Sequence, residues 1–167
     1  MNTEIIGGIV NIEDVEDFIQ MLSEVSKKYR VIIQVLDADQ IASKEHLLFA
    51  VKKANRAMHE GRNIAKDMGI EILLYASGKR QIEQAMSMGV HHGKNSVAIV
   101  IMGDDTKGAS SELKTVIYEA PVLDYTKCKK RKLIKTFDIT EAEIRAVGED
   151  KIPELVLERV ALLDVMK

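Results

Sequence analysis

A mostly apolar run at residues 70–76, in which Glu71 is the one charged residue, is the feature that most constrains what this chain can fold into. The run is short, rich in isoleucine and leucine, and stops abruptly at Ser77-Gly78. A run of this length, bounded by turn residues, is typical of a strand buried in a protein core. We therefore predict a strand at 70–76 that ends in a tight turn.

Positive charge follows this turn at once. Lys79, Arg80 and Gln81 come directly after Ser77-Gly78, and a helix-like apolar pattern begins at position 82. The first N–H groups of a helix lack intrahelical partners, and the helix dipole adds partial positive charge there. The sequence therefore predicts an anion site, usually for phosphate, at this junction. Plain capping by Ser77, with solvated cations, is the alternative.

The loop departs from the phosphate-binding motif of P-loop nucleotide hydrolases. Arg80 follows Gly78-Lys79 where that motif has serine or threonine, and Leu73 stands at the position of its first glycine. The sequence also lacks an H-E-x-x-H zinc motif, and no convincing set of nucleophile, base and orienting acid emerges. We therefore predict a binding protein, without metal or cofactor, rather than an enzyme.

Composition restricts the other possibilities. The chain is 46% hydrophobic and 30% charged, and its net charge is −2. Affinity for nucleic acid would therefore have to come from a local patch rather than from the charge of the whole protein. A single cysteine excludes a disulfide framework within one chain. We find no signal peptide and no apolar run near the roughly 20 residues that span a membrane, so we expect a cytoplasmic protein.

Three further runs predict strands. They occupy residues 3–10, 31–36 and 97–102. Each is short and apolar, and helix-like patterns separate the runs from one another. No linker or repeat divides the chain, so we predict one domain over 1–167 of class α/β (α+β), with a small central sheet of about four strands flanked by several helices.

Cap signals place several helices. A first helix is predicted after a cap at Asn11. Thr140 and Glu143 have the spacing of a capping box, which predicts a short helix ending at Gly148. A last helix is expected to carry Pro153 in its first turn. Residues 103–111 are predicted as a polar loop.

A long amphipathic helix is predicted after Ser43, running to Met68. Basic and amide residues share the face opposite its apolar stripe. They include Lys52, Arg56, Asn63 and Lys66. A solvated charged face is the common explanation of such a pattern. The functional one is a row of cations that tracks the phosphates of a nucleic acid, with amides adding hydrogen bonds to base edges.

Two features near the C-terminus concern partners. Residues 127–135 hold six cations, which we interpret as a mobile solvated loop. A supplementary contact to nucleic acid or to an acidic protein is the alternative. The last helix carries a broad apolar stripe, which core packing explains as well as contact with another protein does.

Three segments together resemble one family. They are H-L-L-F-A-V-K-K-A at 46–54, G-R-N-I-A at 61–65 and G-I-E-I-L-L-Y-A-S-G-K-R-Q-I at 69–82, followed by G-V at 89–90. Their combination resembles the archaeal form of the small kinase-binding, tRNA-recruiting subunit of the KEOPS complex. The resemblance is dense over 46–102, and length and element order extend it to the whole chain.

The resemblance implies a function. KEOPS installs threonylcarbamoyl on the adenosine beside the anticodon of tRNA, and its small subunit performs no chemistry. That subunit binds the atypical kinase/ATPase subunit directly, meets the other subunits indirectly, and holds tRNA by its single-stranded 3′ CCA end. A phosphometabolite-binding enzyme that uses the same loop and a pure kinase-regulating scaffold are the alternatives.

Site residues follow from this resemblance and from the patterns above. The predicted RNA-binding residues are Lys52, Arg56, Asn63, Lys66, Ser77, Gly78, Lys79, Arg80 and Gln81. The predicted kinase interface lies on the last helix. It comprises Ile152, Pro153, Leu155, Val156, Arg159, Val160 and Leu163. Gly78 would permit close approach of the backbone, Lys79 and Arg80 would contact phosphate, and the amides of Gln81 and Asn63 would contact bases or sugars.

Overall fold

A computed structural model describes residues 2–166 and confirms an α+β fold with a four-stranded sheet. The strands are β1 (Asn2–Ile12), β2 (Val31–Asp37), β3 (Gly93–Gly103) and β4 (Tyr118–Glu119). The helices are α1 (Val15–Tyr29), α2 (Lys44–His59), α3 (Met68–Ser77), α4 (Ile82–Ala85), α5 (Thr106–Leu113), α6 (Lys130–Phe137), α7 (Glu141–Val147) and α8 (Ile152–Met166). None of these helices combines the length and apolar character needed to cross a bilayer.

The elements form two compact units. The first joins the segment up to Ala38 with Gly89–Val122, and the second joins Asp39–Met88 with the segment from Leu123 onward. The first unit therefore contains the sheet with α1 and α5, whereas the second is helical. A single domain over 1–167 stays a prediction.

The sheet of the first unit is antiparallel throughout, in the order β2-β3-β1-β4. Its central pair runs the full length of both strands, from Asn2 opposite Gly103 to Ile12 opposite Gly93. The predictions of strands at 3–10, 31–36 and 97–102 are confirmed. The fourth strand is the two-residue β4, which pairs with Gly8 and Ile9 of β1 and was not predicted.

Helix α1 covers one side of this sheet in a shared core. Phe18, Leu22 and Val25 lie on its buried face and belong to the same apolar cluster as residues of β1, β2 and β3. The cap is Asp14, whose carboxylate accepts a hydrogen bond from the Asp17 N–H at 3.1 Å. The predicted cap at Asn11 is wrong because β1 continues through Ile12.

Helix α5 replaces the loop predicted at 103–111. Asp105 caps it by accepting a hydrogen bond from the Gly108 N–H at 2.8 Å. Its buried face consists of the small or medium side chains of Thr106, Ala109, Ser110 and Leu113. Such a face gives little apolar periodicity, and the polar composition of the segment therefore resembled that of a loop.

The largest correction concerns residues 70–76, which form part of helix α3 and not a strand. Asp67 caps this helix by accepting a hydrogen bond from the Ile70 N–H at 3.0 Å. Every residue from Glu71 to Ser77 is buried. A helix that is buried on all sides lacks a 3.6-residue alternation of apolar and polar residues, so its sequence resembles that of a buried strand.

Helix α2 ends at His59 and not at Met68 as predicted. The chain turns there, with a hydrogen bond from the Arg62 N–H to the Ala57 carbonyl at 2.9 Å. The following segment is tied to α3 by the buried carboxylate of Glu71, which accepts from the N–H groups of Ile64 (3.0 Å) and Ala65 (2.9 Å). This turn breaks the basic face that a continuous helix would have presented.

The basic segment 127–135 is ordered structure rather than the mobile loop we predicted. A 3₁₀ turn at Lys127–Lys129 leads into α6. Lys129 is buried, and its ammonium donates to the Ile41 carbonyl at 2.8 Å. Leu133 and Phe137 are buried on the inner face of α6. These contacts hold the segment in place while most of its cations remain exposed.

The predicted capping box is confirmed. The Thr140 hydroxyl accepts from the Glu143 N–H at 3.1 Å, and the Glu143 carboxylate accepts from the Thr140 N–H at 3.0 Å. Helix α7 follows and ends before Gly148, as predicted. Helix α8 carries Pro153 in its first turn, also as predicted.

Candidate nucleic-acid interface

The end of α3 presents the predicted loop. Gly78 adopts a left-handed conformation with φ of 66°. Its N–H donates to the Tyr75 carbonyl at 3.1 Å, and the Lys79 N–H donates to the Leu74 carbonyl at 3.2 Å. This pair of bonds defines a Schellman motif, which closes a helix and turns the chain sharply. The loop that follows is therefore fixed at its start by the end of a buried helix.

These contacts overturn the anion cradle predicted for the loop. The N–H groups of Gly78 and Lys79 close α3 and are not free to bind an anion. The Ser77 hydroxyl is buried, donates to the Leu74 carbonyl and accepts from the Lys79 N–H. The next helix, α4, has four residues, so its dipole is too small to form a site. The charge that the loop offers to a phosphate is therefore that of its side chains, Lys79 and Arg80.

The side chains of this loop line an open cavity of about 640 Å³. Three cationic residues, Arg62, Lys79 and Arg80, contribute to its wall. Further lining residues are Ile64, Gly78, Gln81, Gln84 and Met166. The cavity thus combines positive charge, two amides and two flexible apolar side chains, within the size range of small-ligand sites.

Arg62 is held against the end of α8. Its guanidinium donates to Glu60 at 2.7 Å and to Asp164 at 3.4 Å. Asp164 also accepts hydrogen bonds from Lys53, at 2.8 Å, and from the Tyr75 hydroxyl. Burial opposes the charge of Asp164, but these donors hold its pKa below the ordinary value. The carboxylate therefore stays ionised and fixes one wall of the cavity.

Of the predicted RNA-binding residues, the structure brings four to this cavity: Gly78, Lys79, Arg80 and Gln81. Arg80 is exposed and, within residues 2–166, forms no hydrogen bond or ion pair. Lys79 lies 3.9 Å from the carboxylate of Asp138. Arg80 is thus available to an anionic ligand, whereas Lys79 would share such a ligand with Asp138.

The other five predicted RNA-binding residues do not line the cavity. They are Lys52, Arg56, Asn63, Lys66 and Ser77. Arg56 pairs with Glu60 at 3.0 Å, and the Asn63 amide donates to the Ala65 carbonyl at 2.8 Å, where it braces its own loop. The continuous face that would have aligned them is wrong because α2 ends at His59.

The apolar stripe predicted as a kinase interface on α8 is buried inside the protein. The buried members are Ile152, Leu155, Val156, Val160 and Leu163. Arg159 is also engaged, because its guanidinium binds Glu143 through two hydrogen bonds of 2.9 and 2.8 Å. The predicted interface is corrected accordingly: these side chains stabilise the chain's own fold, and Pro153 is half-buried beside them.

A different face of α8 is accessible. Leu157 and Ala161 of α8 line a groove of about 580 Å³ together with Leu48 and Phe49 of α2. The polar residues of this groove are Glu45, Lys52, Glu154 and Glu158. Three of these four are acidic, so the groove has an apolar floor beside negative charge. This chemistry is opposite to that of the loop cavity.

The sequence interpretation missed four residues of the loop cavity: Arg62, Ile64, Gln84 and Met166. On a continuous helix to Met68, Arg62 would stand beside the basic face and not in a turn. A signal was present in Gly61, whose φ of 69° allows the chain to turn after α2. Met166 carried no such signal, since packing of α8 alone brings it to the cavity.

Within residues 2–166, no group of three or more His, Cys, Asp or Glu side chains is placed to hold a metal ion. His46 is buried, and burial lowers its pKa to about 4. Its ring accepts from the Ala42 N–H at 3.0 Å and donates to the Ala76 carbonyl at 2.8 Å, so it serves as a structural link between α2 and α3.

Comparison with known proteins gives two consistent findings. Residues 9–164 match the family model described as kinase binding protein CGI-121. The chain is also 33% identical, over 135 residues, to "Regulatory protein Cgi121" of the archaeon Methanocaldococcus jannaschii. The aligned region covers 80% of this chain and 84% of that protein.

Proposed function

Because the chain belongs to the CGI-121 family of kinase-binding proteins, we propose that it is the small non-catalytic subunit of a cytoplasmic KEOPS complex. In this role it binds the atypical kinase/ATPase subunit directly and the other subunits through it. It also recruits tRNA, by the 3′ CCA end, for formation of threonylcarbamoyladenosine. Family membership supports the kinase partner, and the resemblance of segments 46–54, 61–65 and 69–82 supports the KEOPS assignment.

The loop cavity is the observation that carries the tRNA part of the proposal. Its cations, Arg62, Lys79 and Arg80, suit the phosphates of an RNA strand. The amides of Gln81 and Gln84 suit the base edges, which are accessible in a single strand and hidden in a duplex. A concave site with this lining fits an unpaired end better than it fits a smooth double helix.

The groove between α2 and α8 is our candidate for the kinase contact. Leu48 is 44% exposed, whereas the neighbouring Leu47 is fully buried. Phe49 is oriented by Lys53, whose ammonium lies 5.4 Å from the ring centroid. An amphipathic element of the kinase with an apolar ridge and basic flanks would match the apolar floor and the acidic rim.

A mutant cycle tests the tRNA part. Arg80→Glu should weaken tRNA binding by about tenfold or more, because it replaces a phosphate contact by repulsion. Removal of the CCA end should weaken binding by the wild type to a similar degree. Combining both changes should add little, since both remove one contact. Arg145→Glu is the matched control, because Arg145 is exposed on α7 and does not line the cavity.

Each contrary result points to a different function. Unchanged affinity in a folded Arg80→Glu variant would reject the site. Equal affinity for intact and trimmed tRNA would reduce the interaction to general charge attraction. Capture of the kinase without any retention of tRNA would favour a pure kinase-regulating scaffold. Tight binding of a small phosphorylated metabolite in the loop, without affinity for RNA, would favour a phosphometabolite-binding enzyme.

A further inference from the structure

A second open cavity adjoins the loop cavity. It also measures about 640 Å³, and Lys79 and Gln84 line both. On its far side the wall is formed by α6, which contributes Lys132 and Lys135. The two cavities are therefore neighbours on one surface, with Lys79 between them. The two cavities share positive charge, because cationic side chains line both.

The lysines of α6 are held in position by the helix that carries them. Lys132 and Lys135 are three residues apart and therefore lie on the same face of α6. Both are exposed, whereas Leu133 and Phe137 are buried on the other side. The carboxylate that lines this cavity belongs to Asp138, whose side chain is 88% exposed. Three lysines and one carboxylate therefore line this cavity, so the net charge of its lining is positive.

Hydrogen bonds among neutral side chains organise the remaining wall. The Thr136 hydroxyl donates to the Gln40 amide oxygen at 2.9 Å, and the Gln40 amide nitrogen donates to the Ser87 carbonyl at 3.1 Å. These bonds connect α6 with the turn that follows α4. The cavity is thus formed before any ligand binds, which lowers the entropic cost of binding.

We propose that the second cavity binds backbone phosphates of the nucleotides that precede the 3′ end held in the loop cavity. The inference rests on the proposed function. A strand held in the loop cavity can continue into the second cavity, where Lys132 and Lys135 offer further cations to its phosphates. Continuity with the loop cavity through Lys79 and Gln84 favours the RNA strand as the occupant over an acidic protein segment.

The test compares two double variants with the same change in net charge. K132A/K135A removes the cations of the cavity, and K127A/R131A removes two cations of the same basic segment that do not line it. Affinity for intact tRNA is measured as a function of salt concentration. K132A/K135A should reduce the slope of log affinity against log salt by about 1.4, since each single-strand phosphate contact contributes about 0.7. At 0.1 M salt the loss should be roughly tenfold.

The control variant should keep the wild-type slope. Equal slopes for the two double variants would overturn the proposal, because the effect would then reflect net charge alone. An unchanged affinity in K132A/K135A would overturn it as well. Alanine favours helices, so both variants should melt near the wild type. Failure of the proposed function is distinguished by trimmed tRNA, which would then bind wild type and Arg80→Glu as tightly as intact tRNA does.

Discussion

The loop cavity and the groove between α2 and α8 belong to the same helical unit, yet their chemistry is opposite. The cavity is lined by Arg62, Lys79 and Arg80, whereas the groove has an apolar floor and a rim that is mostly acidic. Helix α8 contributes to both: Leu157 and Ala161 line the groove, and Met166 lines the cavity. One helix can therefore serve two kinds of partner because it offers different residues to each.

The two surfaces also differ in how they are built. The groove takes its floor from regular helical positions, so its shape follows from the packing of α2 against α8. The cavity takes its lining from chain turns and helix ends, and each of these depends on specific hydrogen bonds. We therefore expect binding at the groove to weaken when one of its side chains is changed. Binding at the loop cavity should also weaken when the conformation of a backbone turn is changed.

The largest expected effect is on kinase binding. Leu48→Glu places a charge on the apolar floor of the groove and should weaken the kinase complex by about 3 kcal/mol, or more than a hundredfold. Binding of tRNA should be unchanged. Calorimetry with the kinase subunit and retention of tRNA measure the two effects separately.

Leu162→Glu is the matched control for this change. Leu162 is 42% exposed, close to the 44% of Leu48, but it does not line the groove. Its substitution should leave kinase affinity near the wild-type value. If both variants lost the kinase equally, the groove would not be the contact, and a broader surface of this unit would have to be considered.

Protonation of His46, which links α2 to the end of α3, should lower the stability of the protein. The pKa of His46, about 4, lies below the ordinary value of 6.5 because burial disfavours the charged ring. The unfolded chain therefore binds a proton between these pH values and the folded chain does not. Stability should fall as the pH falls below 6.5, by about 1.4 kcal/mol per unit, until about pH 4.

Denaturation by urea at pH 7 and pH 5 measures this loss, which should reach about 2 kcal/mol. His46→Gln should lower stability at pH 7 but remove most of the difference between the two pH values. His59→Gln changes an exposed ring and serves as the control. A wild-type protein equally stable at both pH values would show that His46 is not the linking group we describe.

The smallest expected effect comes from a change in the turn at Gly78, which should affect the loop cavity and not the groove. Gly78→Ala introduces a side chain at φ of 66°, where the nearest atom of Arg159 is 3.5 Å away, so the cost is backbone strain and not collision. Stability should fall by about 1 kcal/mol. Affinity for tRNA should fall severalfold, and kinase affinity should not change.

Gly93→Ala is the matched control, because Gly93 also has a positive φ and open space around it but lies in β3. It should lower stability without any effect on tRNA. If Gly78→Ala also left tRNA binding intact, the geometry of the turn would not matter to the cavity, and the charges of Lys79 and Arg80 alone would account for it.

Several elements could be predicted because their signals are local. The strands at 3–10, 31–36 and 97–102 are short apolar runs, and the capping box of Thr140 and Glu143 involves residues three positions apart. The chemistry of Lys79, Arg80 and Gln81 was likewise visible, because charge and amide groups are properties of the residues themselves. These predictions needed no knowledge of distant contacts.

Other elements depended on what surrounds them. Helix α3 looked like a strand because it is buried on all sides, and α6 looked like a loop because its two buried residues are outnumbered by cations. The stripe on α8 looked like an interface, although it packs into the protein. In each case the sequence shows which residues are apolar or charged, but it does not show which other segments pack against them.

The α+β class, the family and the positive charge after Gly78 can be inferred from residue types and local patterns. Packing places this charge at the end of a buried helix, brings Arg62 and Met166 to the same cavity, and puts the apolar groove on another face of α8. The physical reason is the range of the interactions. Capping and composition act within a few residues, whereas a cavity is made by segments that only packing brings together.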